Sequence, residues 1–138
     1  AEMRRIQWIV AADTQPYQNI PFIIQAMGEW GMKKAQPVKH PLRKHFINRE
    51  FSAIEEILEN VSGKFCIGDN VSYADCFLVP QIRNALASDI PLEKDFPNLN
   101  KVWKNMLALP KVLDIFERAG GIIQPIVVDE KKLKEYVE

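Results

Sequence analysis

A chain of 138 residues, 47% of them apolar, with 18 basic and 18 acidic side chains, can bury one core without disulfides or a structural metal. Balanced charge removes the general attraction to nucleic acid or anionic lipid that a basic chain carries. Two cysteines make no disulfide framework, and the longest apolar runs, such as Ile20–Pro21–Phe22–Ile23–Ile24, fall far below the roughly 18 residues of a membrane span, so a globular cytoplasmic domain is expected, without nucleic-acid or membrane partners.

Apolar residues recur at intervals of three and four, the helical period, and clean alternation is hard to find. The first segment, Glu2 to about Ala12, sets Met3, Ile6, Ile9 and Val10 on one face with Trp8 beside it. Asp13, Thr14 and Pro16 are expected to interrupt it, because proline lacks an amide donor and biases its predecessor away from helix. Periodicity resumes from Ile20 to about Met32, continuing one long kinked helix, and Pro37 and Pro41 break the loop that follows. Gln15, Gln18 and Asn19 lie beside the break. Amide side chains and freed backbone amides there can hold a small polar ligand; the other reading is a local cap for the interrupted helix.

The clearest helix runs from Leu42 to about Ser62, with Phe46, Ile47, Phe51, Ile54, Ile57, Leu58 and Val61 in its stripe and Gly63 as its stop. Arg43, Lys44 and Arg49 sit towards its start and Glu55, Glu56 and Glu59 towards its end, an order that opposes the helix dipole. Either burial of the stripe outweighs that small cost, or the helix packs antiparallel against a symmetry mate.

Ser72 and Asp75 then form a capping box, with Val71 and Cys76 placed as a hydrophobic staple. From Ser72 to about Ser88 the sequence is apolar nearly all round, which predicts a central, buried helix kinked at Pro80. Leu99, Val102, Trp103, Met106, Leu107 and Leu109 mark an amphipathic helix, and Pro110 opens another over Lys111 to Ala119. Ile122 to Val128 reads as an extended segment on the core, and residues 129–138 as a charged tail. The whole is an all-α domain of five to six helices over residues 1–128.

Chemistry is sparse. His40 and His45 lack the i, i+4 spacing of a helical metal pair, so no metal is expected. Cys76 reads as a packing residue, and Cys66, in a loop, as the slightly more reactive of the two. The basic stretch from Lys33 to Arg49 has no regular aromatic interleaving and reads as a solvated face. No Gly-rich phosphate loop, GxSxG elbow or HExxH motif appears.

Three motifs carry a resemblance. Gly68-Asp69-Asn70-Val71-Ser72-Tyr73-Ala74-Asp75 resembles the capping box and staple at the central helix of the glutathione S-transferase C-terminal domain. Thr14-Gln15-Pro16-Tyr17-Gln18-Asn19 resembles the Gln-Pro-x-Gln-Asn motif of the zeta class, the maleylacetoacetate isomerases. Leu78-Val79-Pro80-Gln81-Ile82-Arg83-Asn84-Ala85 resembles the middle of that class's central helix. The likeness extends from about Met3 to Gln124.

The resemblance implies a two-domain parent whose N-terminal thioredoxin-like half binds glutathione and activates its thiol. That half is absent from this chain, which is expected to be a fragment or separately expressed domain, inactive alone and without catalytic residues of its own. Glutathione is the implied cofactor, with Gln15, Asn19, Ile20 and Pro21 at its site, although Pro21 replaces a residue usually polar in the class and leaves only backbone contacts there. A homodimer is implied too, as is a small acidic substrate: maleylacetoacetate, isomerised from cis to trans in tyrosine breakdown. The class arginine suited to a substrate carboxylate falls on Ala87. Arg83, one turn earlier on nearly the same face, is the replacement candidate; a surface arginine or a changed substrate are the alternatives. The face meant for the other half is expected to expose apolar residues. A second reading comes from glutathione-transferase-like helical domains that act as non-catalytic docking modules in translation complexes, where Gln15 and Asn19 would have no task.

Overall fold

The computed structural model describes residues 1–19, 22–23 and 40–119, and most of these are helical. The chain begins with α1 (Glu2–Trp8), passes through a π-helical stretch (Ile9–Thr14) and continues as α2 (Gln15–Gln18). Asp13, Thr14 and Pro16 therefore do not interrupt the helix, contrary to the sequence expectation. In an α-helix the Pro16 ring would meet the carbonyl four residues back; the wider turn relieves this by moving hydrogen bonding to the fifth residue. The Gln15 amide donates to the Val10 carbonyl, and the Thr14 hydroxyl donates to the Ile9 carbonyl at 3.1 Å. The helix stops where Asn19 turns extended, at φ −63° and ψ 138°. The Asn19 carbonyl accepts from the Ile23 amide at 3.1 Å. The expected continuation to Met32 and its loop otherwise lie outside the described residues, as do the Ile122–Val128 segment and the charged tail.

Next comes α3 (Pro41–Val61). His40 caps it through Nδ1, which accepts from the Leu42 amide at 3.2 Å, and Pro41 occupies the first turn, where a missing amide donor costs nothing. Ile47, Phe51, Ile54, Ile57 and Leu58 are buried. Each contributes about 1.5–3 kcal/mol, against a few tenths for a charge misplaced on the dipole. The reversed charge order also has a local use. Glu55 reaches across to α6 (Pro97–Leu107) and accepts from the amides of Asn98 (2.6 Å) and Leu99 (3.0 Å), capping a helix that has no capping side chain of its own. Glu56 and Glu59 are exposed.

The chain leaves α3 by a tight turn. The Gly63 and Phe65 amides both donate to the Gly68 carbonyl, and the Gly68 amide donates to that of Val61. Gly68 sits at φ +65°, in the left-handed region. A Cβ on Gly63 would lie 2.7 Å from the Gly68 carbonyl carbon and oxygen, so this glycine permits a close backbone approach rather than merely ending a helix.

The central helix is α4 (Tyr73–Ala87), and its capping box is formed by Ser72 and Asp75 as expected. Asp75 does more than cap. Its carboxylate, fully buried, accepts from the Ser72 amide and hydroxyl and from the Cys66 amide, each at 2.8 Å, which pins the preceding loop to the helix. The staple is not buried: Val71 and Cys76 are both exposed. Nor is α4 buried all round. Ala74, Leu78, Val79, Ile82 and Ala85 face the core, whereas Tyr73, Cys76, Phe77 and Pro80 face outward. The carbonyl left without a helix donor by Pro80 belongs to Cys76, on the outer side, where water can satisfy it.

The remaining elements are α5 (Leu92–Asp95), α6 and α7 (Pro110–Arg118). Helix α1 packs on α4, α3 packs against the π-helical stretch, α2 and α6, and α6 also meets α4. Phe51 meets Phe96 edge-on at 5.6 Å, and Trp103 meets Phe116 at 5.5 Å. No helix among the described residues is long and apolar enough to cross a membrane.

Candidate functional site

The Gln15–Asn19 motif stands where the first helix ends. Gln15 and Asn19 are exposed, so both side-chain amides are open to a ligand, and the extended backbone at Asn19 ends the helical ladder beside them. Ile20 and Pro21 lie outside the described residues. Tyr17 turns towards α3 and stacks on Phe46 at 4.6 Å, with Phe22 edge-on to Tyr17 at 5.4 Å. The Arg49 guanidinium lies 5.1 Å over the Phe46 ring and pairs with Glu50.

Gln18 is not part of the exposed set. It is 3% exposed and meets Gln81 of α4 in a reciprocal amide pair, Gln18 Nε2 donating to Gln81 Oε1 at 2.5 Å and Gln81 Nε2 to Gln18 Oε1 at 2.6 Å. One signal for this was present in the sequence. Gln81 is a polar residue on the stripe of Leu78, Ile82 and Ala85, a core position where an amide requires a partner. Nothing in the sequence named Gln18 as that partner.

Arg83, two residues beyond Gln81, is half-buried, and its Nε is buried without a hydrogen-bond partner among the described residues. Ala87 is half-buried one turn on. A second guanidinium is buried at the start of α3: Arg43 is 3% exposed, its Nε and Nη1 have no partner among the described residues, and burial pushes its pKa down. Its place four residues before Ile47 on the apolar stripe marked it for burial, although by charge it reads as one of the basic residues of the helix start.

The cysteines exchange the roles expected of them. Cys66 is fully buried, and burial first, then the neighbouring Asp75 carboxylate, push its thiol pKa strongly upward, so it stays protonated and inert. Cys76 is the exposed one. No cluster of His, Cys, Asp or Glu among the described residues could hold a metal ion. The first helix and its end thus present open amides, and α4 carries a guanidinium with a buried donor that has no partner among the described residues.

Residues 20–117 match the family model "Glutathione S-transferase, C-terminal domain". Among curated proteins, the chain is similar to the maleylacetoacetate isomerase of Mus musculus, 38% identical over 109 residues covering 79% of this chain and 46% of that protein. It is also similar to the maleylacetoacetate isomerase of Dictyostelium discoideum, 32% identical over 114 residues, covering 80% and 49%. The chain thus spans about half the length of these relatives. Among solved structures, it resembles a maleylacetoacetate isomerase from Anaeromyxobacter dehalogenans with bound dicarboxyethyl glutathione and citrate in its active site, at a TM-score of 0.71 and 26% identity, covering 95% of this chain and 55% of that one. With its capped central helix, its first helix ending in the Gln-Pro-x-Gln-Asn motif and this family match, the chain belongs to the glutathione S-transferase C-terminal domain family.

Proposed function

We propose that the chain forms the substrate-side wall of a glutathione-dependent, zeta-class isomerase that converts maleylacetoacetate to its trans isomer. It would work beside a thioredoxin-like domain that binds glutathione and activates its thiol, within a cytoplasmic homodimer. The observation that carries this reading is the Gln18–Gln81 contact between α2 and α4: exposed Gln15 and Asn19 flank Gln18 along the first helix, and the half-buried Arg83 follows Gln81 along the other. The residues suit the ligands. Glutathione is a peptide with free carboxylates, and side-chain amides at a helix end can both donate to and accept from it. Arg83, with a buried donor still unpaired, has reason to take up a carboxylate, which a guanidinium can grip with two parallel bonds. The carboxylate-rich ligands in the A. dehalogenans isomerase support such a site.

Glutathione, when bound, supplies a thiolate that adds reversibly to the double bond and frees it to rotate. In this reading Gln15 and Asn19 orient the glutathione backbone, the family resemblance assigns Ile20 and Pro21 to the same subsite, and Arg83 fixes the acidic end of the substrate. The thiol-activating residues belong, in this reading, to the other domain, so the chain alone is expected to be inactive. The isomerase and transferase names among the relatives favour this over a docking module in a translation complex.

Two measurements on the natural-length protein test the reading. Glutathione should slow backbone hydrogen exchange at residues 15–19, and Arg83→Ala should raise the KM for maleylacetoacetate by about tenfold, the equivalent of one charge-assisted hydrogen bond. Unaltered exchange would remove Gln15 and Asn19 from the site, and wild-type kinetics would remove Arg83 from substrate binding.

A further inference from the structure

Helices α2 and α4 meet through a polar contact where an apolar one would hold them equally well. Its neighbours along α4, Leu78 and Ile82, are fully buried apolar residues. Gln18 and Gln81, separated by 63 residues, nonetheless face each other as a closed amide pair, each donating to the other. Leucines in that space would contribute more burial and leave no polar group to satisfy. What the amides add is direction. Apolar side chains pack in several relative shifts at similar energy, whereas two amides exchange both bonds in only one alignment, and in a dry site any other alignment leaves donors and acceptors unpaired.

The alignment so fixed involves the candidate site on both sides. Gln18 is flanked by Asn19 and, one turn earlier, Gln15; Arg83 follows Gln81 by two residues on another face of α4, so the pair acts on it through the rigid helix that carries both. We propose that the Gln18–Gln81 pair is a positioning device that sets the register of the Gln15 and Asn19 amides against Arg83, and so fixes the distance between the glutathione and carboxylate subsites. This rests on the function proposed above. Both glutamines are positioning residues, since neither is open to a ligand. Reacting groups tolerate little misplacement, and a shift of about 1 Å can cost about a hundredfold in rate.

Two variants of the natural-length protein separate positioning from mere structure. Gln18→Leu with Gln81→Leu removes both partners at once, leaves no buried amide unpaired and is expected to keep the urea midpoint close to wild type. Its glutathione KM should rise about tenfold, and its kcat/KM should fall by about ten- to a hundredfold. Without any ligand, backbone exchange at residues 15–19 should be faster than in wild type. Gln81→Glu supplies the second readout. A protonated carboxyl reproduces the pair, its O–H donating to Gln18 Oε1 and its carbonyl accepting from Gln18 Nε2, whereas the ionised form cannot donate. This variant should approach wild-type activity at acidic pH and lose it as pH rises, a limb that the wild-type profile lacks. Unchanged exchange at residues 15–19 in the double variant overturns the proposal whatever the ligand. Wild-type kinetics in the double variant, or a Gln81→Glu profile that superimposes on wild type, overturns it as well. If the wild-type protein shows no dependence on glutathione, the functional reading fails, and the unliganded exchange still decides whether the pair sets the register.

Discussion

Asp75 holds three donors from a fully buried position, and its replacement by asparagine would turn an amide N–H towards at least one of them. Asp75→Asn is expected to cost about 3 kcal/mol in urea unfolding, since hydrogen bonds to a charged group contribute about 1.5–3 kcal/mol each. The buried thiol it faces gives a pH signature. Cys66 has a folded pKa raised above its ordinary value of 9.0, so the stability it contributes is complete below about pH 9 and declines above it, because the unfolded chain then releases a proton that the folded one keeps. The decline should approach about 1.4 kcal/mol per pH unit. Cys66→Ala should lack this component, which unfolding curves of both proteins between pH 8 and 10.5 would reveal. Arg43 works in the opposite sense. With two buried nitrogens that have no partner among the described residues it is a net cost, and Arg43→Met should raise stability by about 1–2 kcal/mol. The capping box at Ser72 and Asp75 was legible in the sequence because caps are local, three residues apart. The third bond of Asp75, the burial of Cys66 and the Gln18–Gln81 pair were not, because each joins segments that only folding brings together.

At the scale of helices, Glu55 makes a clear case. On α3 alone its position looks unfavourable, yet it supplies α6 with the N-terminal acceptor that Phe96 cannot. Glu55→Ala should destabilise by about 1–2 kcal/mol, and Glu56→Ala, one residue on and exposed, by less than about 0.5 kcal/mol. Equal losses from the two would remove the capping account. Helix existence and apolar faces were readable from periodicity throughout α1, α3, α6 and α7. The π-helical stretch was not, since the rule that proline breaks a helix assumes the narrower α turn, and Thr14 and Pro16 together are accommodated by the wide one. The outward face of α4 was misread for a related reason. An all-apolar helix signals burial, and periodicity cannot say whether the cover lies within the chain.

Across the whole molecule, that cover is the open side. Trp8 is 69% exposed, Tyr73 70% and Phe77 40%, on the two helices α1 and α4 that pack together. The chain on its own is expected to bind apolar dyes and to self-associate with rising concentration, and Trp8→Ser with Phe77→Ser should reduce both; a strictly monomeric chain that binds no dye would show that the face needs no partner. The central claim is that this domain serves a glutathione-dependent isomerisation. Its most direct test is the conversion of maleylacetoacetate by the natural-length protein with and without glutathione. The account predicts turnover that requires glutathione and falls in Gln15→Ala and Asn19→Ala. No turnover with glutathione present, or turnover indifferent to it, would contradict the account.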